Sequence, residues 1–505
     1  MSAQTMASTT PSTKSSTRKS TNAATIHPLL AARRAGVLLH VTSLPGGFGI
    51  GDLGPESVRF MDWMQAAGLS IWQTLPVGPI GPGDSPYSSP SSFAGEPLLV
   101  SPERLAEDGL LTSRDLSAAR RALSRTGPVR FAQVRRGKTA LLEVAHGNFL
   151  AQGARSRTLV RDHARFLDEA SWWLPGWTSF AASRDGRSDA FHAFCQWCFD
   201  RQWRRLRQEA SARGIVLFGD VPIFTALDSA DVHAAPELFR LDRQGRPEVV
   251  TGVPPDSFSK DGQLWGTPHY RWSAHRRDGF LWWRQRIGRA LDRFDLVRID
   301  HFIGFVRAYE VPARARNARR GAWRRQPGRE VLAALAKEHA DGLPLVAEDL
   351  GAVTPPVLRL RDEFALPGMR ILQNGFWRDD AFDMPHRFPS NCVVYPGTHD
   401  NHVATGWWRT LSRDARRRFL AYAGPASDPA EALVRLSMTS PANLAICQMQ
   451  DLLALAPSTR MNLPGTPSGN WRWRLESGAA DAASARRLRA VIAASGRVPS
   501  SISGA

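Results

Sequence analysis

Lysine is almost absent from this 505-residue chain: Lys14, Lys19, Lys138, Lys260 and Lys337 are the whole set, so the formal charge of +18 is almost entirely arginine. A groove that tracks nucleic-acid phosphates needs its basic residues gathered on one face. Here they are scattered over helical stretches such as 284–293 and 413–418, with acidic residues between many of them. A solvated basic surface is expected, and no nucleic-acid partner. No apolar run approaches the roughly 18 to 20 residues that a membrane-spanning helix needs, so a soluble chain with no membrane partner is expected. Cysteine is scarce too. Cys195, Cys198, Cys392 and Cys447 show no disulfide-like spacing, which suits a reducing compartment and hence the cytoplasm. The single C-x-x-C lacks a second pair or nearby histidine ligands and lies in a helix-patterned segment, so it reads as buried thiols, with no metal.

The first 35 residues contain no acidic residue and are Ser/Thr-rich and basic. They are expected to form a disordered tail, with an organelle-targeting segment as the alternative. Eight apolar runs then read as strands, beginning at Gly36, Leu69, Gly214, Phe294, Leu343, Gly368, Cys392 and Ala442. Amphipathic helices lie between several of them, as at 55–68, where proline opens the helix and glycine closes it. Eight strands alternating with helices predict a parallel sheet closed into a TIM (β/α)8 barrel. Two intervals exceed a simple connection. Residues 101–213 read as a mainly helical insertion, and 228–272, rich in Gly, Pro and aromatics, as an irregular lid or substrate loop. The catalytic unit is thus expected over 36–500, with a short tail at 501–505. G-I-G-D-L-G at 49–54 matches a dinucleotide fingerprint literally, but Pro45, Gly46 and Gly47 separate it from its strand and the next strand carries no acid. It reads as a tight loop near the barrel mouth.

Three of the strand candidates end in a carboxylate: Asp300 in R-I-D-H-F, Glu348 in V-A-E-D-L and Asp400 in G-T-H-D-N. Carboxylates at the C-terminal ends of barrel strands converge on one face. Arg298, two residues before Asp300 on the same strand, points the same way and can keep it anionic. One ionised carboxylate, one protonated carboxyl and a third anion suit retaining glycoside transfer, in which nucleophile and acid/base act in two steps through a covalent glycosyl intermediate. That makes Asp300 the nucleophile, Glu348 the acid/base and Asp400 a stabiliser of the oxocarbenium-like transition state. Asp349 would face the other side of its strand and is structural. Seventeen tryptophans against five tyrosines also fit a sugar site, since aromatic faces stack on pyranose rings. Trp265, in the Gly/Pro-rich loop, is the best stacking candidate.

At these residues the chain resembles the 4-α-glucanotransferases called amylomaltases or disproportionating enzymes. The similarity is carried by S-L-P-G-G-F-G-I-G-D-L-G, S-P-Y-S-S-P-S-S-F-A-G, G-D-V-P-I-F, G-V-P-P-D with G-Q-L-W-G, the three acidic motifs, and R-M-N-L-P-G-T-P-S-G-N-W-R-W-R. The resemblance implies a barrel with inserted subdomains and no C-terminal β-sandwich, no metal or organic cofactor, and transfer of α-1,4-glucan segments between maltodextrins. It implies Arg298, His301, His399, Tyr87, Asp220, Phe258, Trp265 and Asn470 as sugar-contacting residues. Against the family pattern stand Ser257 for tyrosine, His233 for tryptophan, Glu96 for asparagine and His402 for aspartate. Loss of the lid aromatic should weaken an acceptor or remote subsite more than bond breaking. An α-1,4-glucan hydrolase and an inactive glucan-binding protein are the alternative readings.

Overall fold

Strand residues of alternating parity separate into two apolar clusters, and that separation builds the molecule. The computed structural model describes residues 25–152, 156–255, 259–377, 383–424 and 428–498. It holds strands β1 (Arg34–Leu38), β2 (Ile71–Gln73), β3 (Val216–Pro222), β4 (Val249–Val253), β5 (Gln263–Pro268), β6 (Leu296–Asp300), β7 (Arg307–Pro312), β8 (Ala322–Arg325), β9 (Leu345–Ala347), β10 (Gly368–Ile371), β11 (Cys392–Tyr395) and β12 (Leu444–Gln448). Eight of these, β1, β2, β3, β6, β9, β10, β11 and β12, pair in parallel in that order and close from β12 back to β1. They are the eight runs read from sequence. The fold is a TIM barrel.

Leu296, Phe218, Val346, Val393 and Tyr395 fill the interior, while their neighbours Val297, Leu217, Ala347 and Val394 pack outward against the helices. Period-two alternation therefore assigns each rim residue a direction before any contact is inspected. Arg298 and Asp300 share the parity of Leu296. Glu348 shares that of Val346, and Asp349 does not.

The interval from β2 to β3 carries the helices Pro102–Glu107, Ser113–Ala122, Phe131–Gln152, Arg157–Glu169, Leu174–Asp185 and Asp189–Ala212. Cys195 and Cys198 are buried free thiols in the last of these, both pushed above their ordinary range by burial. The loop of residues 49–54 lies beyond the C-terminal end of β1. At Gly51 a side chain would meet the Val41 carbonyl at 2.1 Å, so glycine serves close backbone approach there.

Two expectations need correction. Residues 1–24 of the tail and the tail at 501–505 lie outside the described residues, but 25–35 are ordered. Pro28–Ala31 is helical, Leu30 is buried, Arg33 donates to the Ser440 carbonyl at 3.0 Å, and β1 already begins at Arg34. Composition alone overlooked Leu30, whose carbonyl also accepts from Asn443 at 3.0 Å. The lid segment 228–272 is not irregular: it holds a short helix, Ala230–Ala234, and strands β4 and β5. These join β7 and β8, from outside the expected range, in an antiparallel sheet ordered β5-β4-β7-β8 around the small apolar cluster of Val250, Tyr309, Val311 and Ala318. After β12 the described residues contain no strand.

Candidate active site

The C-terminal ends of the barrel strands open into a cleft of about 2030 Å³, and Asp300, Glu348 and Asp400 all line it. β6 delivers Arg298 and Asp300 together. The Arg298 guanidinium pairs with Asp300 Oδ1 at 2.8 Å and with Asp220 Oδ2 at 2.7 Å. Asp220 stands opposite Arg298 in the β3–β6 register, which is why one arginine reaches both carboxylates. Burial disfavours the Arg298 cation, yet Asp220 and Asp300 outweigh it and hold its pKa well above the ordinary value. Burial pushes the Asp220 carboxyl up, and Arg298 opposes the shift. Tyr87 completes this corner. Its hydroxyl donates to Asp220 Oδ2 at 2.7 Å and lies 3.0 Å from His399 Nε2, with the two rings stacked.

Glu348 is fixed by the peptide that follows Asp300. The His301 N–H donates to Glu348 Oε2 at 2.6 Å, and the Leu350 N–H reaches Oε1 at 3.2 Å. The two carboxylates, 48 positions apart in sequence, are thus joined through one backbone amide. His301 adopts a left-handed conformation, with φ of 54°, which turns the chain sharply as it leaves β6. Burial, with Asp300 and Asp349 adding to it against Arg298, pushes the Glu348 carboxyl up to about 8. Asp349 faces away. It accepts from the Met369 N–H at 2.7 Å and from Arg361 at 2.5 Å, tying β9 to β10 and to the helix Pro355–Glu363.

Asp400 is held from the opposite side of the cleft. Asn462 donates to its Oδ1 at 2.6 Å, Arg460 donates to its carbonyl at 2.5 Å, and His399 Nε2 lies 3.5 Å from Oδ2. Arg460 and Asn462 had no role assigned from sequence. Their signal was the R-M-N-L-P-G-T motif, which follows the last barrel strand and carries no periodicity that would aim a side chain.

The remaining sequence candidates divide. Trp265, on β5, lines the cleft with 37% of its surface exposed and meets the His301 ring edge-on at 4.8 Å. Burial drops the His301 imidazole to about 4, so it stands neutral beside Asp300. Asn470 also lines the cleft, but its amide is occupied: Oδ1 accepts from the Leu463 N–H at 3.0 Å and Nδ2 donates to Thr466 Oγ1 at 2.9 Å, closing the 463–470 loop. Phe258 and Ser257 lie outside the described residues. Glu96 is buried and accepts from the Ile80 and Leu98 N–H groups at 2.5 and 2.8 Å, which anchors the loop bearing Tyr87. His402 leans on Arg460 at 3.3 Å, and His233 is exposed.

A parallel barrel whose rim gathers one arginine-paired aspartate, one carboxyl of raised pKa and a third, hydrogen-bonded aspartate is a carbohydrate-active barrel enzyme of the carboxylate type. The family model Glyco_hydro_77, 4-alpha-glucanotransferase, matches residues 39–190 and 183–480. The chain belongs to this family. It is 41% identical over 507 residues to the 4-alpha-glucanotransferase of Thermus thermophilus, covering 92% of this chain and 99% of that one. It is 38% identical to the chloroplastic/amyloplastic 4-alpha-glucanotransferase of Solanum tuberosum, over 92% of this chain and 87% of the relative. Among solved structures, the amylomaltase from Streptococcus agalactiae in complex with acarbose superposes with a TM-score of 0.87 at 32% identity, over 92% of this chain and 100% of its own. The Corynebacterium glutamicum amylomaltase shares the fold, with a TM-score of 0.77 at 19% identity over 93% of this chain and 76% of that one.

Proposed function

We propose that this 4-α-glucanotransferase moves α-1,4-glucan segments between maltodextrins by double displacement, releasing glucose or short sugars. The observation that carries the reading is the His301 amide bridge, which sets a carboxyl of raised pKa beside an arginine-paired aspartate. With a pKa of about 8, Glu348 is protonated at neutral pH. Oε2 accepts the short bond from His301 and Oε1 only the longer one from Leu350, which leaves Oε1 as the less committed oxygen and the one assigned the proton. Glu348 gives that proton to the glycosidic oxygen as the bond breaks, and Asp300 attacks the anomeric carbon to form a glycosyl ester. Glu348, now anionic, takes the proton from the acceptor's 4-hydroxyl as that oxygen displaces Asp300. Asp400 supports the distorted sugar ring, and Arg298 pairs with Asp300 and positions it. No step needs a cofactor or metal.

Transfer exceeds hydrolysis when an acceptor sugar is held in line, because positioning is worth an effective molarity of roughly 10⁵–10⁸ M against bulk water. The wall bearing Trp265 is the element assigned to that task. The partners are α-1,4-glucans as donor and acceptor, and neither nucleic acid nor membrane. Four unpaired cysteines fit a reducing compartment such as the cytoplasm, with the basic N-terminal stretch as the feature that would redirect the chain to an organelle. Incubation with maltotriose tests the reading. Glucose and longer dextrins should form at constant total reducing ends, and Asp300→Asn should stop both. Maltose accumulating with rising reducing ends would make the enzyme a hydrolase instead.

A further inference from the structure

Asp400 is held from behind by two residues that do not line the cleft, Arg460 and His402. Arg460 donates through Nη2 to the Asp400 carbonyl at 2.5 Å and through Nε to the Asn462 carbonyl at 2.7 Å. One guanidinium thus fixes the backbone of the third carboxylate and of the residue that bonds its Oδ1. The remaining nitrogen, Nη1, rests against the His402 ring, 3.3 Å from Nδ1 and 3.4 Å from Nε2. His402 is therefore one residue removed from the reacting groups, and its route to them is Arg460.

Arg460 is a permanent cation, so this contact favours a neutral imidazole. Burial and Arg460 both lower the His402 pKa, and the ring has no carboxylate partner among the described residues. Asp400, on the same loop, spends Oδ1 on Asn462 and has Oδ2 beside His399. From the helix Ala404–Thr410 the ring meets Gly406, where a Cβ would lie 3.7 Å from Nδ1. Gln373, buried, donates to the His402 carbonyl at 2.7 Å and pins its backbone. A proton taken up by this ring sets two like charges about 4 Å apart with no anion between them. Either the ring swings out to solvent or the guanidinium recoils, and both leave Arg460 without its support.

We propose that His402 is a positioning residue for the transfer reaction: as a neutral ring it steadies Arg460, and through Arg460 the backbone of Asp400, and on protonation it releases both. The inference rests on the assignment of Asp400 to the distorted sugar ring. It makes turnover sensitive to mild acid through a group outside the cleft.

The test is kcat and KM for maltotriose from about pH 4.5 to 7.5, in the parent and in His402→Gln, whose amide oxygen can take the Arg460 bond and binds no proton. Each protein is its own reference. The parent's kcat should fall about three- to tenfold toward acid, with a midpoint below the ordinary histidine value and with KM and circular dichroism unchanged. His402→Gln should lack that step. A variant that keeps the parental step, or a step confined to KM, overturns the proposal. Asp400→Asn, run alongside, should be inactive at every pH. If it turns over normally, the assignment of Asp400 fails and the proposal with it; if it is inactive and His402→Gln follows the parental profile, the coupling alone is overturned.

Discussion

The barrel and the four-stranded sheet beside it are both β structure, yet they are held by different forces. The barrel strands are buried on both faces: every residue of β9, β10, β11 and β12 is inaccessible to solvent. β5 and β8 of the smaller sheet are mostly exposed or half-buried, and that sheet's cluster of buried apolar side chains comprises Val250, Tyr309, Val311 and Ala318. Apolar burial, worth about 25 cal/mol per Å², fixes the barrel. Backbone pairing and ion pairs such as Arg240–Glu310 hold the sheet. On the proposed mechanism the bond-breaking groups sit on the barrel, and the wall assigned to the acceptor sits on the four-stranded sheet. That division is useful, since chemistry requires carboxylates held to fractions of an ångström while chain-length tolerance requires a wall that yields.

The largest effect that separates the two regions is expected at the barrel rim. Asp300→Asn and Glu348→Gln should each lower maltotriose turnover by about 10⁴-fold, with the fold intact by circular dichroism. A Trp265 substitution showing a comparable loss would break the comparison. Next comes a purely structural lesion: Lys138, 2% exposed, pairs at 2.8 Å with buried Asp52 in the 49–54 loop. Lys138→Ala strands that carboxylate and should cost about 3–5 kcal/mol in denaturant melts, while turnover below the transition is retained.

The third effect is on pH. The Glu348 carboxyl is raised to about 8, so the acid form is lost as pH rises through that value, and kcat/KM should fall on the alkaline side with an apparent pKa near it. The same shift bears on stability. A carboxyl whose folded pKa lies above its unfolded one favours folding at low pH, and that contribution is lost as pH rises from the unfolded pKa through about 8. Glu348→Gln, inactive, should therefore unfold no more easily than the parent at neutral pH and resist unfolding better above pH 8. A variant less stable at pH 9 would contradict the burial argument. The smallest effect belongs to the sheet. Trp265→Ala should raise KM for maltotriose by a few-fold and increase the hydrolysed fraction, with kcat changed little, about the value of one aromatic contact of 0.5–1.5 kcal/mol. Product-length profiles measure it.

How much of this was legible follows the same division. All eight barrel strands could be read because a strand buried on both faces is a continuous apolar run bounded by polar residues. The antiparallel sheet was missed because β5 and β8 are Gly-, Pro- and Arg-rich and gain their conformation from partners tens of residues away. Leu30 was missed for a related reason: one apolar residue in a polar stretch carries no local signal, yet it is buried once β1 and β12 are paired.

The sequence by itself determined that three carboxylates stand at or shortly after strand ends, with Asp400 five residues past β11, and, through period-two alternation, that Arg298, Asp300 and Glu348 face inward while Asp349 does not. Alternation is a property of the extended chain and needs no partner to be read. Only tertiary structure decided that the His301 amide would join Glu348 to the turn after Asp300, that Arg460 and Asn462 would hold Asp400, and that Glu348 would be the carboxyl that keeps its proton. Those outcomes depend on distances between residues far apart in the chain and on removal from water, and neither exists until the barrel has closed.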